Sequence, residues 1–200
     1  DGVPLYVEEL TKMVVETGLA PPLQEGPETA DARQSLAIPA TLQDSLMARL
    51  DRLNGSKAVA QLCATLGREF SYALLRAVSD LDDARLDREL DRLVEAEFLY
   101  QRGTPPDATY VFKHALIREA AYESLLRSAR RHYHRRNALA LVSQFAAESA
   151  AQPEYVAMQF TEAGELGDAV RWWQSAGRRA FSRAAYAEAA VHYTKGLALL

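Results

Sequence analysis

The chain has 200 residues, 48% hydrophobic and 25% charged, a composition typical of a folded globular protein rather than a disordered one. Its net charge of -4 argues against nucleic-acid binding through the overall field of the molecule. A single cysteine, Cys63, excludes an internal disulfide and favours a reducing, cytoplasmic setting. No apolar run reaches the roughly 18 to 20 residues that span a bilayer.

The chain opens without a methionine and stops at Leu200 inside an apolar helical pattern, so we interpret it as a piece of a longer protein. A first helix is predicted over residues 4–17, with Pro4 in its first turn and Gly18 after its end. Residues up to 37 are rich in proline and glycine and have no period, which predicts a linker.

Four closely spaced helices are predicted from residue 38 onward, each with an apolar stripe at helical spacing. Their predicted N-terminal capping residues are Thr41, Ser56, Ser71, and Asp82 or Asp83. Cys63 falls in the apolar row of the second helix, which predicts a small core residue rather than a reactive thiol.

The apolar period then changes from helical to alternating. Residues 98–102 and 109–113 flank a Gly-Thr-Pro-Pro-Asp turn, and the alternation of Phe98 with Tyr100 and of Tyr110 with Phe112 predicts a two-stranded hairpin. Helices are predicted behind it over residues 114–126 and 129–145. Helices packed against one hairpin form a winged-helix arrangement, so residues 38–146 are predicted to be a winged-helix domain.

The remainder, residues 147–200, is predicted to be helical and to begin a tetratricopeptide-like α-solenoid. The residues at the repeat's spacing are Trp173, Ala176, Gly177, Ala180, Ala189 and Tyr193. The match is partial, because Ala180 occupies a position that is usually aromatic. The predicted fold is therefore mainly α, with one small β-hairpin.

A winged helix suggests DNA binding, because the helix before the hairpin usually enters the major groove. Here that helix and its flanks carry a local charge of -4, which would face phosphates. The acidic residues are Asp82, Asp83, Asp87, Glu89, Asp91, Glu95 and Glu97, against Arg85, Arg88 and Arg92. The alternative is an ordinary solvated face with ion pairs, and we expect no nucleic-acid binding by this helix.

A basic cluster follows, without an intervening acid, and contains Arg127, Arg130, Arg131, His132, His134, Arg135 and Arg136. It is either a solvated helix face whose arginines pair with acids elsewhere, or an anion-binding patch formed by Arg130, Arg131, Arg135 and Arg136. His132 and His134 are two residues apart on a helix and point to different faces.

We find no catalytic constellation and no metal-ligand spacing in the sequence. His114 lies where the second predicted strand runs into a helix, and a helix start presents unpaired N–H groups that favour an anion. A histidine there can help to hold a phosphate. The alternative is that its ring caps the helix or packs under the hairpin.

Five ordered segments carry a resemblance to one family. They are IPATLQDSLMARLDRL (38–53), LGREFS (66–71), LDRLVEAEFL (90–99), FKHALIREAAYESLL (112–126) and RRHYHRR (130–136). Together they resemble the region after the ATPase core in bacterial STAND-type signalling ATPases, which join an ATPase of the AAA type to tetratricopeptide repeats and to a cyclase or LuxR-type output.

The resemblance implies roles for two residues. Pro4, in a segment similar to the Gly-x-Pro-Leu of the helical lid, would lie near the adenine of bound nucleotide. His114 resembles the winged-helix histidine that contacts the β-phosphate of ADP. Plant and animal members have Asp after this histidine, where the present chain has Ala115. ATP or ADP with Mg²⁺ would bind to a core upstream of Asp1, and no cofactor is expected within this chain itself.

We therefore expect residues 1–37 to end an ATPase lid, and the whole chain to be a non-catalytic regulatory segment. It would couple nucleotide state to a solenoid that binds a protein partner or another domain of the same chain. The alternatives are a stand-alone protein-interaction module and a DNA-binding winged-helix regulator.

Overall fold

The computed structural model describes residues 42–53 and 55–200. The predicted first helix over residues 4–17, the linker, Pro4 and the predicted cap Thr41 lie outside the described residues. The described helices and strands, in chain order, are α1 (Leu42–Arg52), α2 (Ser56–Leu66), β1 (Glu69–Ser71), α3 (Tyr72–Val78), α4 (Asp83–Glu95), β2 (Leu99–Arg102), β3 (Thr109–Phe112), α5 (Ala115–Glu123), α6 (Arg127–Gln144), α7 (Ala146–Ala151), α8 (Pro153–Ala163), α9 (Leu166–Ser182) and α10 (Tyr186–Leu197). The prediction of a mainly helical protein is confirmed.

The sheet has three antiparallel strands in the order β1-β3-β2, so the prediction of a single two-stranded hairpin was incomplete. The hairpin itself forms, with Leu99 opposite Phe112 and Gln101 opposite Tyr110. Tyr100, one of the alternating residues that predicted the hairpin, is 51% exposed, and Leu99 faces the core. Phe98 is also buried, but it lies just before β2 begins, so Phe98 and Tyr100 do not alternate within one strand.

Two of the predicted helix caps are confirmed and one is wrong. The Ser71 hydroxyl accepts from the Leu74 N–H at 3.2 Å, and an Asp82 carboxylate oxygen accepts from the Arg85 N–H at 2.8 Å. Ser56, by contrast, lies within α2, and its hydroxyl donates to Glu89 Oε2 at 2.6 Å. The Ser56 hydroxyl therefore bonds to a carboxylate on α4 and does not cap α2.

The core of the first part lies between α2, α4 and the inner face of the sheet. Cys63 is fully buried, as predicted, and burial raises the pKa of its thiol. The rings of Phe70 and Tyr110 stack with their centroids 6.0 Å apart, pairing β1 with β3. Burying one large apolar side chain contributes about 1.5–3 kcal/mol, so this cluster anchors the sheet to the helices.

Helices α6, α8, α9 and α10 pack in succession, each against the next. At the contact of α9 with α10, a Cβ atom on Gly177 would lie 2.6 Å from Tyr193 Cε1. The Trp173 indole is buried and donates from Nε1 to Thr161 Oγ1 at 3.0 Å, which links α9 to α8. No helix in the described part of the chain is long and apolar enough to cross a membrane.

Candidate functional site

His114 lies immediately before α5 and has extended backbone angles of φ -134° and ψ 145°. Its side chain makes no capping hydrogen bond, so the interpretation of His114 as a helix cap is wrong. Its Nε2 atom is buried and has no hydrogen-bond partner among the described residues. Buried polar atoms are nearly always paired in native proteins, so this nitrogen is available to a group that the described residues do not supply.

The residues around this junction are held by their own contacts. Lys113 Nζ lies 3.3 Å from Glu97 Oε1. Arg49 is buried, donates from Nη2 to the Ala96 carbonyl at 2.9 Å, and lies with its guanidinium 5.0 Å from the centroid of the Phe98 ring. These contacts fix the end of α4 and the start of the hairpin that leads to His114.

The four arginines of the predicted anion patch do not form one cluster, although Arg130 and Arg131 line a shared pocket with Arg127. Arg130 Nη2 lies 2.8 Å from Glu123 Oε2, and Arg135 Nε lies 3.0 Å from Glu165 Oε1. Arg136 pairs with Asp80 in the loop after α3. Arg131 lies on the side of α6 next to Gly164. Three of the four thus have acidic partners on three separate segments, and the structure does not bring the four together.

The acidic surface predicted on α4 is also partly used within the protein. Glu89 is only 6% exposed, because its carboxylate accepts from Ser56 and pairs with Arg92 at 3.1 Å. These two contacts lower the pKa of Glu89, the Ser56 hydrogen bond most strongly. The Tyr72 hydroxyl donates to Asp87 at 2.7 Å. Glu89 therefore does not belong to the exposed face that the sequence suggested.

A buried polar network joins α2, α5, α6 and α8, and the sequence analysis missed it. Gln159 Nε2 donates to the Thr65 carbonyl at 3.1 Å, so Gln159 Oε1 is the acceptor for His134 Nδ1 at 2.7 Å. His134 Nε2 then accepts from the Tyr122 hydroxyl at 3.0 Å. Asn137 Nδ2 donates to both Thr65 Oγ1 and Gln159 Oε1, at 3.0 and 3.2 Å.

This network makes His134 a neutral histidine with its proton on Nδ1. The residue is 2% exposed, and burial lowers the pKa of His134, against the opposing effects of Gln159 and Glu162. The prediction that His134 belongs to the basic surface cluster is therefore wrong, whereas His132 is exposed. Its spacing to Ala138 and Leu141, at i, i+4 and i+7, was a signal for an inward face.

No family model matches the chain. It is 30% identical over 189 residues to uncharacterized protein R02095 of Rhizobium meliloti (strain 1021). The aligned region covers 94% of the present chain and 18% of that relative, so the chain spans less than a fifth of the length of the curated protein it matches.

Proposed function

We propose that this chain is a non-catalytic regulatory segment of a bacterial STAND-type signalling ATPase. Residues 38–146 would form its winged-helix arm, and residues 147–200 would begin a tetratricopeptide-like solenoid. The order α2, β1, α3, α4, β2, β3, with β3 between the other two strands, supports the first assignment. The close approach of Gly177 to Tyr193 beside the buried Trp173 supports the second.

The observation that carries the proposal is the hydrogen-bonded path from α5 to α8. Helix α5 starts directly after His114, and Tyr122 near its other end bonds to His134, which bonds to Gln159 on α8. We infer that a displacement of His114 is transmitted along α5 and through these hydrogen bonds to α8 at the start of the solenoid. The buried Nε2 of His114 fits a role in contacting a phosphate oxygen.

The proposal is tested in the full-length protein by His114→Ala. A hydrogen bond to a charged group contributes about 1.5–3 kcal/mol, so we expect ADP to dissociate at least about tenfold more readily and basal output to rise. His132→Ala is the matched control, because His132 is an exposed histidine on α6. ADP affinity and output that are unchanged in His114→Ala would contradict the sensing role.

Coupling is tested separately by Tyr122→Phe, which removes the hydroxyl bond to His134 and keeps the ring. We expect ADP affinity to remain near that of the unmodified protein while the response of output to nucleotide weakens. A response that is fully retained would show that the hydrogen-bonded path does not carry the signal.

A second candidate is a plain protein-interaction module, favoured by the apolar surface of α9 and α10. Phe181, Tyr186 and Leu197 are 60%, 61% and 68% exposed. A partner captured by the chain in a pull-down, with capture by the full-length protein unaffected by ADP or ATP, would favour this function over nucleotide-dependent regulation.

A further inference from the structure

A cleft of about 580 Å³ lies where the sheet meets the helices that follow it. One wall is formed by all three residues of β1, by residues 106–108 and by Thr109 at the start of β3, and the other by α6, α7 and α8. Phe70, Leu141 and Phe145 give it an apolar lining. His114 is not among the residues that line the cleft, and nothing in the proposed function uses it.

Strand β1 is an edge strand, with β3 on one side and no strand on the other among the described residues. The N–H groups of Tyr72 and Phe112 donate to the carbonyls of Ala108 and Arg68, at 2.8 and 2.9 Å. Because hydrogen-bonded and non-hydrogen-bonded positions alternate, both main-chain groups of Glu69 and the N–H of Ser71 point away from β3. Such an edge is a template for another extended chain.

All the charged side chains that line the cleft are acidic. Glu69, Asp107 and Glu148 line it and are exposed, and none of them forms an ion pair with a described residue. No lysine or arginine lines the cleft. Elsewhere on the surface, acids such as Asp83 and Glu165 lie within 2.7 and 3.0 Å of an arginine. An occupant with positive charges would therefore meet carboxylates that have no competing partner.

We propose that this cleft binds an extended, basic segment of a partner protein, which adds as a fourth strand beside β1. The main chain of the segment would bond to the outer edge of Glu69 and Ser71. Side chains of a strand alternate in direction, so lysine or arginine at every second position would meet Glu69, Asp107 and Glu148. The intervening apolar side chains would pack on Phe70 and Phe145.

The partner class follows from these features together. Nucleic acid is repelled by three carboxylates, and an amphipathic helix cannot use the main-chain groups of a strand edge. An occupied cleft would join β1 to α6, α7 and α8, and would hold the sheet against the helical part of the chain. This would allow a partner to restrain the molecule without any nucleotide.

The probe is a fluorescein-labelled peptide of alternating arginine and valine, titrated with the 200-residue chain and followed by fluorescence anisotropy. The comparison peptide alternates glutamate and valine. We expect the basic peptide to bind and the acidic peptide not to bind. The proposal would be overturned if the basic peptide did not bind at protein concentrations up to about 1 mM. A dissociation constant of about 1 mM corresponds to a binding free energy of only about 4 kcal/mol.

The site is tested with the triple variant Glu69→Gln, Asp107→Asn and Glu148→Gln, for which we expect at least tenfold weaker binding of the basic peptide. The matched control changes the exposed acids Asp91→Asn, Glu95→Gln and Glu119→Gln, which alters net charge equally away from the cleft. Circular dichroism checks that both variants fold. Equal loss of binding in the two variants would show a non-specific charge effect and would overturn the site.

Strand addition is tested with a basic peptide that is N-methylated at alternate residues, which removes the donors that a strand edge requires. Two such peptides are compared, one methylated at the odd-numbered residues and one at the even-numbered residues. We expect one of them to lose binding and the other to retain it, because only one edge of the peptide faces β1. Undiminished binding by both methylated peptides would overturn the fourth-strand geometry.

Discussion

At the scale of single residues, His134 has the most consequential environment in the described part of the chain. It is a histidine in a run of basic residues, yet it is buried and neutral. Its two ring nitrogens have opposite roles, since Nδ1 donates to Gln159 and Nε2 accepts from Tyr122. A second proton on the ring would place a donor against the Tyr122 hydroxyl, which now donates to it.

The pH dependence of stability follows from this environment. The folded protein binds a proton at His134 less readily than the unfolded chain does, because burial lowers the pKa of His134 below its ordinary value of 6.5. The free energy of unfolding should therefore fall as pH drops from above 6.5 toward the lowered pKa. Urea unfolding between pH 8 and pH 5, at roughly one-unit steps, measures this loss.

The comparison is with His134→Gln and with the exposed control His132→Gln. We expect the control to keep the pH dependence and His134→Gln to reduce it. Glu89 and Asp80, whose pKa values are lowered by Ser56 and Arg136, lose their contributions only at more acidic pH, below their ordinary values of 4.5 and 3.8. If the free energy of unfolding of His134→Gln depends on pH as steeply as that of the unmodified protein, this histidine is not the cause of the pH dependence.

At the scale of elements, the contact between α9 and α10 is closest where Gly177 faces the ring of Tyr193. A methyl group at Gly177 would lie 2.6 Å from the Tyr193 ring, although Gly177 is inside a helix, where glycine is normally unfavourable. The loss of helix propensity is offset by the close approach that the absence of a side chain allows. The backbone of α9 can therefore lie against an aromatic ring of α10.

We expect Gly177→Ala to destabilise the protein by about 1–3 kcal/mol, the usual cost of overpacking. The control is Gly167→Ala in the same helix, where an added methyl meets no atom within 4 Å. That change should be neutral or stabilising by up to about 1 kcal/mol, because alanine favours helix. Thermal unfolding of both variants measures the difference, and equal melting temperatures would contradict the role of Gly177.

Local patterns predicted most of the elements but missed β1. The capping residues Ser71 and Asp82, the stripes of α2 and α4 and the two strands of the hairpin all follow from spacing within a few residues. Strand β1 has three residues, too few for an alternation to be recognised, and it is a strand because β3 pairs with it. Its partner lies about forty residues later in the chain.

At the scale of the whole molecule, Gln159 connects segments that are far apart in the chain. It lies on α8 and bonds to the Thr65 carbonyl at the end of α2, to Asn137 and to His134. All four residues are buried, so these hydrogen bonds lie in a region of low dielectric constant. Helices α2, α6 and α8 are thereby joined through polar contacts as well as apolar packing.

We expect Gln159→Leu to destabilise the protein by about 1–3 kcal/mol for each polar group left buried without a partner. Hydrogen exchange should accelerate in α8 relative to α4, because the variant weakens the junction and not the core around the sheet. Gln144→Leu, at the exposed end of α6, serves as the control. Uniform acceleration across both helices would show a global loss of stability rather than a loosened junction.

The sequence by itself determined the helical class, the hairpin, two helix caps and the burial of Cys63, because these depend on neighbours within one or two turns. Only the tertiary structure decided that Glu89 is buried, which residues bond to His134, and that Arg135 and Arg136 have acidic partners on separate segments. A charged or polar residue has the same local pattern whether solvent or a distant side chain satisfies it. The fold supplies those distant partners, and with them the network and the acidic cleft that the sequence did not reveal.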